Sequence, residues 1–143
     1  MDAERLREYV LRLPHVVETM QWGANLVYWV GDKALGGKMF AMSNLDEDHR
    51  GVLSFAAGPE RYAELLETDG VFPAPYLARA HWVAIEHWGV FRSRELEELL
   101  ESGRRRTYDR LPKRTRDVLA MPAAAHRKIL RERRKLLVSR ASR

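Results

Sequence analysis

Three consecutive runs of strand-forming residues, joined by links too short to hold a crossover helix, constrain this chain more than any other feature. Asn25 to Val30 reads NLVYWV, rich in β-branched and aromatic residues, and Gly31-Asp32 offers a tight turn into a second run ending at Met42. The polar segment SNLDEDHR follows, and Gly51 to Ala57 (GVLSFAA) reads as a third strand. Strands linked this closely pair antiparallel, so residues 25–30, 34–42 and 51–57 form a meander. Gly36 and Gly37 fall inside the second run, where paired glycines signal a bulge or a close backbone approach.

The flanking segments read as helices interrupted by proline and glycine. Asp2 caps a helix from Ala3 to about Leu13, with Leu6, Val10 and Leu13 at helical spacing. Pro14 interrupts it and suits the first turn of a short second helix reaching about Thr19. Pro59 opens a helix that Gly70 stops, VFPAPYLA is read as irregular because of its two prolines, and residues 81–87 alternate as a further strand. Ser93 is expected to cap a helix that continues across Gly103 to Leu111, followed by a short helix in KRTRDVLAM and a last one begun by Pro122. The order argues an α+β domain in two layers, an antiparallel sheet of about five strands covered by helices. Residues 1–120 are taken as that domain and 121–143 as a basic helical extension of it.

Composition then removes whole classes of chemistry. The 143 residues include no cysteine, which excludes thiolate zinc sites, redox dithiols, disulfides and cysteine nucleophiles. No stretch approaches the ~18 apolar residues of a membrane span, and the charged N-terminus lacks a signal core, so a cytoplasmic protein with no membrane partner is expected. The charge is unevenly divided. Residues 103–143 hold fifteen Lys or Arg against Asp109, Asp117 and Glu132, a net +12, which leaves −7 for residues 1–102 given +5 for the whole chain. On a helical wheel Arg127, Lys128, Arg131, Arg134 and Lys135 share one stripe, opposite His126, Ile129, Leu130, Leu136 and Leu137.

Candidate chemistries are tested by counting. Gly31 and Gly36 have phosphate-loop spacing, but Gly37 stands where the lysine belongs and Lys38 precedes Met39. His81 and His87 share a strand face yet lie about 20 Å apart, too far to hold one metal, and Glu86 faces the other way. A calcium loop begun at Asp46, with Glu47, Asp48 and His49, has Gly51 at its sixth position but Ala57 where the glutamate is needed. No metal, cofactor or catalytic residue is therefore assigned. His81 is read as a half-buried histidine bonded to the chain near Tyr76, a general base being the alternative, and Trp82 as a core residue. Among the aromatics that could stack on bases, Trp29 and Trp82 are assigned to the core and Trp88 to the surface.

Four segments carry a resemblance: LPHVVE (Leu13 to Glu18), GKMFAM (Gly37 to Met42), PAPYLARAHWVAIE (Pro73 to Glu86) and SGRRRTYDRLPKR (Ser102 to Arg114). In order and spacing they resemble the MmcQ/YjbR family of small bacterial proteins over most of residues 10–116. The most specific part is Tyr76, Leu77, Arg79, His81 and Trp82; with Lys38 and Phe40 these are read as structural family positions. The chain departs from the family at Ser102-Gly103, where Ser-Tyr is common. The resemblance implies a two-layer α+β fold related to secretion chaperones, described as a double wing and labelled DNA-binding, with no catalytic residue. The expectation is thus a non-enzymatic protein binding DNA largely independently of sequence, through Arg104, Arg105, Arg106, Lys113, Arg114, Arg127, Lys128, Arg131, Arg134 and Lys135. A protein- or peptide-binding module is the alternative, and a small-molecule enzyme using a groove near His81 ranks last.

Overall fold

The computed structural model describes residues 1–46 and 50–141. Glu47, Asp48 and His49 of the acidic loop lie outside the described residues. Six strands, β1 (Val16–Gln21), β2 (Asn25–Val30), β3 (Lys38–Asn44), β4 (Leu53–Ala56), β5 (Val71–Pro73) and β6 (Trp82–Ile85), form one sheet in the order β1-β2-β3-β4-β6-β5. Every neighbouring pair is antiparallel. Five helices accompany it: α1 (Ala3–Leu11), α2 (Pro59–Leu65), α3 (Ser93–Asp109), α4 (Lys113–Leu119) and α5 (Ala123–Ala141).

The meander is present and one strand longer than the sequence suggests. Pro14 starts no helix. His15 adopts a left-handed φ of 66° and turns the chain into β1, whose Val16, Val17 and Thr19 suit a pleated strand and pair with Val30, Trp29 and Val27. The run 34–42 divides in two. Asp32 caps a short 3-10 turn at Lys33–Leu35 by accepting from the Ala34 N–H at 2.8 Å, Gly36 closes the turn at φ 88°, and the strand begins only at Lys38. Gly37 is the close approach: a Cβ there would stand 1.9 Å from the Gly31 carbonyl oxygen.

VFPAPYLA, read as irregular, supplies β5, with Pro73 tolerated because this strand lies at the sheet edge. The strand expected over 81–87 runs only over 82–85, since His81 takes a left-handed φ of 62°. Ser93 is the first residue of α3 and not its cap, and its hydroxyl accepts from the Met1 amino group at 3.2 Å.

The two faces of the sheet differ. One is covered by helices, and the main core joins Tyr28, Phe40, Phe55 and Ile85 to Leu6 and Val10 of α1, Leu65 of α2, Leu96 and Leu100 of α3 and Leu119 of α4. Gly103 brings α3 against β4, because a Cβ there would come within 2.7 Å of the Ala56 carbonyl oxygen; an aromatic side chain would not fit. Tyr108 does not take that place but stacks on His15, with ring centroids 5.7 Å apart. The opposite face holds a smaller cluster of Ala56, Phe72, Ala74, Trp82 and Ala84, flanked by Met39, Met42 and Leu77, with no residue from an α-helix.

Candidate functional site

The arginines of the Ser102–Arg114 segment separate by face. Arg104 is buried, its Nε and one Nη each donate to a Glu101 carboxylate oxygen at 2.9 Å, and the other Nη reaches the Pro14 carbonyl at 3.4 Å. It ties α3 to the α1–β1 junction, and a buried guanidinium committed in this way cannot serve a phosphate, which removes it from the expected contacts. The hydrogen bonds from Arg104 hold the Glu101 carboxyl below the usual carboxylate range. Arg105 shares the same carboxylate from an exposed position, Arg106 pairs with Glu60 at 2.9 Å, and Lys113 pairs with Asp117 at 3.1 Å. Arg114 is exposed.

Helix α5 docks by its first half. His126, Ile129 and Leu130 are half-buried, and Arg134 forms an ion pair with Asp32, so Arg134 belongs to the docking contact as well as to the basic stripe. Further along the helix Leu136, Leu137 and Val138 are exposed, so the apolar side of the wheel is covered only in its first half. Arg127, Lys128, Arg131 and Lys135 all face solvent. Among the described residues, Arg134 is the only α5 cation in an ion pair.

His15, at the foot of this region, has its ring desolvated by Tyr108 and lies near Arg104, and both effects lower its pKa. The unfolded chain therefore binds more protons in the histidine range, and stability should fall as the pH drops through that range. His15→Asn, which tolerates the left-handed backbone, should flatten the urea midpoint plotted between pH 7.5 and 5. An unchanged profile would remove His15 from this account.

The family string splits between core and surface. Phe40 and Trp82 are buried, Lys38 and Arg79 are exposed, and Leu77 is half-buried. The His81 ring does not bond near Tyr76; it meets Tyr62 edge-on at 5.3 Å. Tyr76, read as structural, is fully exposed at 104%, in a left-handed conformation with φ 65°. The exposed tryptophan is Trp22, at 64% and φ 48°, whereas Trp88 is half-buried against the main core.

Trp22 and Tyr76 border one groove of about 460 Å³ on the helix-free face, floored by Met39 and Met42 and edged by Asn25, Pro75 and Leu77. It continues past Asn44, Arg50 and Ser54. The sequence signal available for this site was a pair of aromatics in turn segments, Trp22 beside Gly23 and Tyr76 after Pro75; nothing in it showed that the two turns face each other across β3 and β4. Among the described residues no group of three His, Asp or Glu could hold a metal ion. Nor, among the described residues, is any helix long and apolar enough to cross a membrane.

Fold and surface together define a two-layer α+β protein with one sheet face left open and a cationic helix at its side. The family model for YjbR matches residues 11–105, and the chain belongs to that family. It is similar to the Deinococcus radiodurans protein DR2400, a DUF419-domain protein known from its crystal structure, with 28% identity over 85% of this chain and 89% of that one and a TM-score of 0.71. No curated protein matches. The match ends before α4 and α5, so the family accounts for the sheet and most of α3 but not for the cationic helix.

Proposed function

We propose that this is a non-enzymatic nucleic-acid-binding protein that holds phosphates on α5. One observation carries the reading: in a 19-residue helix with no buried residue, Arg127, Lys128, Arg131 and Lys135 stand in solvent without a carboxylate partner among the described residues. A cation held in a buried pair, as Arg104 is by Glu101, gains little from a phosphate. Unpaired ones release condensed counterion from the nucleic acid when they bind, and this contribution ignores sequence. Arg105 and Arg114 extend the exposed positive surface on α3 and α4.

The test is a titration with random-sequence duplex DNA at several salt concentrations, comparing the protein with a variant carrying glutamate at residues 127, 128, 131 and 135. Arg134 is left in place because it docks the helix. Four phosphate contacts predict a slope of log affinity against log salt of about −3.6, at ~0.9 per contact. The variant should keep its circular dichroism and melting point, since exposed charges contribute little to stability, and lose most of its affinity. A slope near zero, or unchanged affinity after charge reversal, would refute the reading.

A further inference from the structure

We infer that the groove between Trp22 and Tyr76 is a binding site for an unstacked nucleobase. The inference deepens the phosphate-binding reading and rests on it for the class of ligand.

Two large aromatic side chains stand in water at the groove, and both are held at φ values that L-residues rarely adopt, 48° for Trp22 and 65° for Tyr76. Such a conformation is strained for a non-glycine residue, and neither ring recovers the cost by burial. Glycine would relieve both turns; an aromatic there places a flat, hydrophobic ring at the edge of the groove. The sheet sets the two rings on opposite walls, Trp22 between β1 and β2, Tyr76 between β5 and β6, with β3 and β4 as the floor.

The rim carries hydrogen-bonding groups suited to a base edge. Asn25 and Asn44 are register partners on adjacent strands and both line the groove. Asn25 donates its Nδ2 to the Trp22 carbonyl at 2.8 Å, which leaves its Oδ1 to accept. Asn44 accepts from the Asp46 N–H through its Oδ1 at 2.9 Å, which leaves its Nδ2 to donate. One acceptor beside one donor matches the edge of a nucleobase. Charge agrees as well. Arg50 lines the same groove, its guanidinium 3.9 Å from the centre of the Phe72 ring and paired to Glu86 on an exposed surface, a weak pair that a phosphate can replace. The ligand is therefore a base with a phosphate attached, whether a free nucleotide or a single strand.

The full chain is titrated with an eight-residue oligothymidylate, thymidine monophosphate and a duplex, following tryptophan fluorescence and anisotropy. Tyr76→Ala and Trp22→Ala should each weaken the oligothymidylate roughly 5- to 150-fold, the range for one stacked base, and leave duplex binding within about twofold. Tyr76→Phe should retain affinity, because it keeps the ring. Tyr76→Gly should lose affinity while the melting point holds or rises, which a merely structural tyrosine would not do. The same ring dependence with thymidine monophosphate assigns the site to free nucleotides; dependence with the oligomer alone assigns it to single strands. If the α5 variant binds duplex normally while the ring dependence persists, the phosphate reading fails and the groove stands. The inference is overturned if the alanine variants bind oligothymidylate as the parent does, if they weaken duplex equally, if the parent binds no nucleotide or strand at low salt, or if only an apolar peptide quenches Trp22.

Discussion

Gly37→Ala is expected to destabilise the protein by more than ~3 kcal/mol, beyond the ~1–3 kcal/mol usual for an overpacked core. The added Cβ would lie 1.9 Å from the Gly31 carbonyl oxygen, 2.4 Å from its carbon and 2.7 Å from the Val30 carbonyl oxygen. All three atoms are backbone, so no side chain can swing aside, and the β2–β3 connection itself has to open. Its hydrogen bonds, Gly37 N–H to the Asp32 carbonyl at 3.0 Å and Gly31 N–H to the His15 carbonyl at 2.8 Å, would be strained with it. The urea midpoint should fall by more than about 1 M, given ordinary denaturant slopes. Gly23→Ala is the comparison: Gly23 has a left-handed φ of 83° but nothing within 4 Å, so that variant carries a backbone cost without a clash, whereas Gly37 has no positive φ and its variant carries the clash alone. Equal midpoints for the two variants would show that the close approach at Gly37 is not a constraint.

Trp82→Ala should cost ~3–5 kcal/mol, as for other buried large aromatics. Trp82 is 5% exposed and is the largest member of the small cluster on the helix-free face. Its backbone also ties down the loop that carries Tyr76: the Trp82 N–H donates to the Leu77 carbonyl at 3.2 Å, and its carbonyl accepts from Ala74 at 3.1 Å. Alanine keeps both backbone bonds but removes the ring of the cluster that Ala74 belongs to and Leu77 packs against, so the loop loses its packing and any groove ligand should bind more weakly to Trp82→Ala even in the cold, where the variant is still folded. A thermal melt indistinguishable from the parent would mean that this cluster contributes little and that the loop is held elsewhere.

The sequence carried the middle of the fold well and the chain reversals poorly. β2 ends where its apolar run ends, at Val30, because strand propensity and turn chemistry agree there. β1 is not legible locally, because Pro14 is as compatible with a helix start as with a helix end; His15 at positive φ decides the matter, and no local pattern marks a histidine for that conformation. Lys33 to Leu35 has strand-like neighbours, yet the Asp32 cap wins over the first half of that run. At the surface, composition located the basic region but could not separate Arg104, whose charge is used up inside by Glu101 and Pro14, from Lys128, which stands free of such partners. That distinction depends on which face of each helix the core takes. The groove depends on even longer-range geometry, since the residues that form it come from turns more than fifty positions apart.

Strand order also sets the sequence of events during synthesis. β1 to β4 are neighbours both along the chain and in the sheet, so residues 16–56 can pair as they emerge, each closing a short loop. β6 must instead cross the chain between Ala56 and Trp82 before it can sit beside β4, and α3, which covers β3 and β4, comes later still. Until then the side of the young meander bearing Tyr28, Phe40 and Phe55 has only α1 and, once residues 59–65 have emerged, α2 to cover it. The nascent chain thus passes through an interval in which its most apolar surface is already organised but still wet, the interval in which a chaperone would matter most to this protein.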